Sequence, residues 1–368
     1  MTALAGVTWL LASLSACSSD TPAPETVTSV TNVAASTPPV ASSATPTTPA
    51  KTVTATTRPK PVAKSTVSRP PTAAKDLLTG LKPNGGPVIA AKIDNTSAGF
   101  PQFGVADADI VYVEQVEGGL TRLIAVFHST LPAEVGPIRS VRSTDAELLT
   151  SYGTPGLAFS GGAGGPLAAL AATPVVDLSP DRAGSAYWRS DVGDGTHNLH
   201  VDLARLANDN ISELGAPKSP GFHFAATDPR VAAAPKAPAV SVTMQAGRTG
   251  FAFTDGRYVV SHKDSPYVDH DGTAVLADNV LVQHVTDEPD GTVDSVGSPS
   301  YLSHTIGTGS FTLFRDGHQI SGTWKRAAAA DPTSFLDKAG KPVPFKPGKT
   351  WVLLAPQSAQ VDVAGSAG

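Results

Sequence analysis

The stretch IVYVEQVEGGLTRLIAVFHS, Ile110 to Ser129, sets two apolar runs on either side of Gly118-Gly119. In the second run Leu123, Ala125 and Phe127 alternate with Ile124, Val126 and His128. A period of two predicts a strand whose faces meet different surroundings. The first run reads as a second strand, split from it by the glycine pair. Charges interrupt this apolar text: Glu114 lies within the first run, and Glu117 and Arg122 flank the glycines, where they can face each other across a hairpin. Only 16% of the chain is charged. A carboxylate in a buried strand is costly unless it is paired or hydrogen-bonded, so these acids need cationic or donor partners.

Working outward, GGPVIAAKID upstream reads as a buried strand ending at Asp94-Asn95, and Asp109 opens the Ile110 run. Downstream, VGPIRSVRSTDAE (Val135 to Glu147) places Arg139 and Arg142 between a Gly-Pro turn and a helix. Thr144 followed by Glu147 predicts a capping box for that helix, and Gly153 its stop. GLAFSGGAGGPLAALAA then runs strand, glycine loop and helix, with Pro166 suited to the first helical turn. Strands alternating with helices predict an α/β or mixed α+β domain with a mixed sheet over residues 76–226. Residues 227–239 read as a linker. Beyond it FAFTDGRYVV and FTLFRDGHQI each centre Asp-Gly between alternating apolar runs, a strong hairpin signal. Residues 240–356 are therefore expected to form a smaller, mostly antiparallel β domain, with 357–368 a frayed tail.

Arg122, Arg139 and Arg142, with no lysine counted near them and a helix start beside the last two, suit an anion such as phosphate or carboxylate. Asp94, Glu114 and Glu117 would orient them, and Asn95 and Asp109 are counted with them as ligand-binding residues. In WRSDVGDGTHNLH, His197 followed by Asn198 reads as a hydrogen-bonding element near the same site, and Trp188 and Arg189 are counted with them as ligand-binding residues. The His197-x-x-His200 spacing lacks a third ligand, so no metal is assigned, and no cofactor. SGGAGG matches no phosphate-loop fingerprint. Ser160, with Asp191 and His197 following in hydrolase order, mimics a nucleophile elbow, but glycines separate the serine from its helix. Those glycines suit a close backbone approach better. DHDGTAVLADN lacks the terminal glutamate of a calcium loop and reads as an Asp-Gly turn. Three functions stay open: a protein holding an anionic ligand, a hydrolase of cell-wall glycan or phosphoester bonds using paired carboxylates, and a structural ion-pair network in an interaction scaffold.

The 368-residue chain has one cysteine, Cys17, after a short apolar run ending Leu14-Ser15-Ala16. This resembles a bacterial lipobox, in which the thiol is acylated and a signal peptide, here residues 1–16, is removed. No Lys or Arg precedes the apolar run, a departure from the usual signal. Residues 17–75, rich in Ser, Thr, Pro and Ala, cannot offset their ordering entropy and are expected to form an extended tether. A single cysteine at the anchor excludes a thiol nucleophile in the folded part. A net charge of -5 without a basic groove argues against nucleic acid.

Asp94-Asn95, Pro101-Gln102, ADIVYVE, EGGLTR, GPIRSVR, Trp188-Arg189 and HNL occur in this order, followed by DNVLVQ, SGTWKR and GKTW. Together they resemble the YerB-like bacterial lipoproteins, whose two domains form the domain-of-unknown-function 3048 family. The resemblance implies a two-domain lipoprotein on the extracytoplasmic face of the cell membrane, anchored at Cys17. It supplies no catalytic residues and no oligomeric state.

Overall fold

The computed structural model describes residues 75–83, 85–294 and 297–365. Cys17, the expected signal peptide and nearly all of the expected tether lie outside them.

The first half of the described chain is built on five strands: β1 (Ile89–Asp94), β2 (Ile110–Gln115), β3 (Thr121–Phe127), β4 (Gly156–Ala158) and β5 (Val176–Asp177). They lie in the order β2-β3-β1-β4-β5, antiparallel around β3 and parallel from β1 outward. The alternation read in β3 has its physical cause here. Leu123, Ala125 and Phe127 enter one apolar core, and Ile124 and Val126 enter another on the opposite face. Helices α1 (Ser143–Leu149) and α2 (Gly164–Ala171) cover the second face, with Leu148, Leu149 and Leu170 in its core.

The sheet continues beyond β2. Strand Thr350–Pro356 pairs with β2 in parallel and with Asn279–Val293 on its other side. The hairpin Gly307–Arg315/His318–Arg326 and strand Ser334–Asp337 extend the edge. A mixed sheet of eleven strands thus spans both halves of the sequence. Apart from the parallel pairing of Thr350–Pro356 with Asn279–Val293, the strands of the later half pair with one another antiparallel, as expected, and include a second six-stranded sheet around Arg257–His262 and Gly247–Thr254. Both Asp-Gly turns close as read, with Asp255, Gly256, Asp316 and Gly317 at positive φ.

Two expectations are overturned. The tail is not frayed over Gln360–Ala364, which pairs with Ala239–Met244 as a strand. Nor do Thr144 and Glu147 form a capping box. The Asp145 carboxylate accepts from the Arg142 N–H at 2.7 Å and occupies that role. Thr144 Oγ1 accepts instead from the Ser303 N–H, and Glu147 accepts from Ile306 N–H and the Thr305 hydroxyl. At the other end of α1, Arg326 donates to the Glu147 carbonyl at 2.9 Å. Both ends of this helix are thereby held by the later half of the chain.

Candidate functional site

Strand register assembles the site. Asp94 ends β1, Arg122 begins β3 and Glu114 lies near the end of β2; Arg122 stands opposite both acids in its two ladders. Side chains of alternate residues share a face, so Lys92, two residues before Asp94, points to the same side. Its ammonium contacts Glu114 Oε1 and lies 2.7 Å from Asp145 Oδ1, all three side chains being fully buried. The reading that no lysine is near is therefore corrected, and Lys92 and Asp145 are the charged residues it missed. Parity with Asp94 was the available signal. Burial pushes the Glu114 carboxyl above its ordinary range; Lys92 opposes this and Asp145 reinforces it.

Asp94 is sealed from solvent and crowded with donors. Oδ2 receives Arg139 Nη1 at 2.6 Å and lies 2.6 Å from His197 Nδ1, while Oδ1 accepts from Thr96 N–H. Burial works to raise this carboxyl, but Arg122 and Arg139 with those hydrogen bonds bring it below its usual value. Glu117 takes Arg142, not Arg122, as its ion-pair partner. The Glu117–Gly119 turn carries it to Arg142, whose Nε and Nη2 donate to Oε2 at 3.0 and 2.6 Å.

Arg122 is left under-compensated. Its nearest carboxylate oxygen, Asp94 Oδ1, is 4.0 Å away, and its buried Nε has no hydrogen-bond partner. Burial lowers its pKa to about 10; Arg139 and Arg142 act in the same direction, against Asp94 and Glu117. Beside it opens a cleft of about 520 Å³ lined by Arg122, Arg139, Arg142, Glu117, Ser140 and Thr196 among others. Gly162 and Ala163 form one wall, and Val293, Asp294 and Ser300 of the later half another. A Cβ at Gly162 would meet Val141 Cγ1 at 2.6 Å, so the glycine loop serves a close backbone approach. Ser160 Oγ donates to the Ile138 carbonyl, a structural use.

Other residues singled out from sequence lie elsewhere. Asp109 is at the opposite end of β2, where it accepts from His128 N–H, Ser129 N–H and the Ser129 hydroxyl. Asn95 donates to Thr121 Oγ1 and fastens β1 to β3. Trp188 and Arg189 belong to strand β6 (Tyr187–Arg189), paired with β7 (Leu199–Val201). Arg189 donates to Asn198 Oδ1 and the Gly195 carbonyl, bracing the loop that brings His197 to Asp94. Arg189 and Asn198 therefore support the loop, and neither they nor Trp188 line the cleft. His200 turns away from His197 to pair with Glu134 at 2.7 Å.

The family profile described as "Protein of unknown function (DUF3048) N-terminal domain" matches residues 78–216, and its C-terminal counterpart matches 240–352. A Bacillus subtilis (strain 168) protein named "Putative lipoprotein YerB" is 28% identical over 305 residues, covering 78% of this chain and 88% of that protein. The crystal structure of the YerB protein from Bacillus subtilis superposes with a TM-score of 0.66 at 23% identity, covering 78% of this chain and 99% of the other, a likeness of fold.

Proposed function

This chain belongs to the DUF3048 family, and on that premise we propose that it is a lipid-anchored envelope lipoprotein that holds an anionic group in the Arg122–Arg139–Arg142 cleft. The anchor would be Cys17, on the extracytoplasmic face of the membrane, a reading supported by a relative named "Putative lipoprotein YerB". Among the described residues no helix is long and apolar enough to cross a bilayer. Residues 76–226 and 240–356 act as the two domains of this reading.

The observation that carries it is Arg122, a nearly buried guanidinium at the cleft with an orphaned Nε. Arg139 and Arg142 each spend a short contact on an acid, whereas Arg122 has none. A phosphate or carboxylate entering the cleft would complete its coordination in charge-assisted hydrogen bonds. Hydrolysis by paired carboxylates is less well supported. Asp94 and Glu117 are each bound by a guanidinium, Glu114 is sealed against Lys92, and Asp109 lies elsewhere.

Isothermal titration of the full chain with inorganic phosphate and with citrate tests the reading. Binding should weaken about tenfold or more in Arg122→Met, and with added salt. Equal binding by the variant would overturn it, as would new reducing or phosphate ends on purified wall fragments incubated with the protein.

A further inference from the structure

The arginine cleft has a wall of a different kind. Gly162, Ala163 and Pro166, at the start of α2, line it beside Arg122. The first N–H groups of an α-helix have no acceptor within the helix, and a polar side chain at the capping position usually takes one of them. In α2 the capping residue is Ala163, which makes no such bond, and Pro166 has no N–H to give. Leu167 N–H reaches the Ala163 carbonyl at 3.1 Å, so Gly164 and Gly165 carry the N–H groups left without a helical acceptor. Gly164 is exposed, and a Cβ built on it would meet nothing within 4 Å. The SGGAGG loop lacks the Lys-Ser/Thr of a phosphate loop, but Arg122 brings a cation to the same cleft from β3.

A helix start alone would mark no site; Arg122 makes the difference. It is 5% exposed, and its nearest carboxylate oxygen is 4.0 Å away, whereas Arg139 and Arg142 each hold an acid at 2.6 Å. One uncommitted guanidinium with two backbone N–H groups suits a single negative charge. Glu117 and Asp294, also on the lining, oppose a second. The cleft is larger than that charge needs, since about 520 Å³ suits a drug-sized molecule rather than a bare phosphate. Its rim is apolar. Leu120 and Val293, on the lining, are 39% and 56% exposed, and exposed Leu167 lies 3.5 Å from where a Cβ of Gly162 would stand. Large apolar side chains left in water around a charged cleft gain by covering an apolar part of the same ligand.

We propose that the cleft takes a singly charged phosphodiester bearing an apolar substituent. The start of α2 and Arg122 hold the phosphate, and Leu120, Leu167 and Val293 cover the apolar part. The proposal rests on the anion-holding reading of the arginine cleft and narrows it to an amphiphilic ligand.

Calorimetric titration of the full chain compares three probes: inorganic phosphate, glycerophosphoglycerol, and dihexanoyl phosphatidylglycerol below its micellar concentration. The last carries the same phosphodiester as the second with acyl chains added, and should bind about tenfold tighter. Ala163→Asp places a carboxylate at the helix start, where it caps the N–H groups itself. It should weaken all three probes about tenfold without lowering the melting temperature. Leu120→Ser with Val293→Ser, both at exposed positions, should weaken the acylated probe severalfold and leave inorganic phosphate unchanged. Phosphate binding with no preference for the acylated probe would overturn this proposal alone, as would unchanged affinities in Ala163→Asp. Absence of binding by all three probes would overturn the anion-holding reading and this one with it.

Discussion

The two ends of strands β1, β2 and β3 are built from the same residue types to opposite effect. At one end stand Asp76, Asp109 and His128. Asp109 receives two backbone N–H groups and a hydroxyl, while Asp76 Oδ1 receives the N–H groups of Leu78 and Thr79 and the Thr79 hydroxyl. His128 Nε2 stands 3.0 Å from Asp76 Oδ2. At the other end, about 17 Å along the strands by their rise per residue, stand Asp94, Glu114, Lys92 and three arginines, one of them without a close partner and facing an open cleft. Acids met by short local donors close an end. Acids met by long guanidinium side chains from distant segments leave one cation, Arg122, without a close partner, and such a cation at a cleft is receptive.

The largest expected effect probes how far the receptive end depends on its buried lysine. Lys92→Met removes the one cation between Glu114 and Asp145, leaving two fully buried acids facing each other. Breaking such a pair costs about 3–5 kcal/mol. Denaturant unfolding should show a loss of that order, and Lys92→Met with Glu114→Gln should recover part of it, since the two sites couple. A loss below about 1 kcal/mol would mean that the triad does not organise this end.

A smaller effect separates the ends by pH. Asp76 is brought down from 3.8 to about 2; burial opposes this, and His128 and Thr79 outweigh it. Its contribution is therefore full above about 4 and lost as pH falls toward 2. Glu114 is shifted the other way, by burial, so its contribution is present below its ordinary 4.5 and lost as pH rises. Melting temperature against pH should show Asp76→Asn flattening the acid limb and Glu114→Gln flattening the decline above about pH 4.5. The same limb flattened by both variants would erase the distinction between the ends.

Much of this comparison was legible in the sequence, and the rest was hidden for identifiable reasons. Apolar runs located β1 and β2, and period-two alternation located β3 and both Asp-Gly hairpins, because strand faces and turn backbones are local requirements. The arginines of the cleft could be named because Gly-Pro and Gly-Gly punctuate the segments that carry them. Lys92 escaped because it stands in an apolar run, although its parity with Asp94 placed it on the charged face. Asp109 was misplaced because nearness in sequence to Glu114 hid their separation at opposite ends of one strand. Thr144 and Glu147 resembled a local cap, yet their partners are Ser303, Thr305 and Ile306, more than 150 residues away. The Gln360–Ala364 strand likewise depends on Ala239–Met244.

The smallest expected change in stability is the most informative about the receptive end. An ordinary buried ion pair is destabilised by removing either partner, because the other charge is left without compensation. Arg122 departs from that pattern. It is only 5% exposed, its nearest acid is at 4.0 Å, and that acid, Asp94, keeps Arg139, His197 and the Thr96 N–H when Arg122 is gone. Removing Arg122 also relieves its repulsion with Arg139 and Arg142. Arg122→Met, of similar length and without charge, should therefore shift unfolding free energy by no more than about 1 kcal/mol in either direction, while phosphate binding falls as described above. Arg139→Met offers the contrast, because it strips the 2.6 Å guanidinium from a sealed carboxylate and should cost about 2–3 kcal/mol. Chemical denaturation of the two variants side by side checks this. Equal losses would make Arg122 a structural partner like the others, and the two ends of the sheet would then differ only in which donors close them.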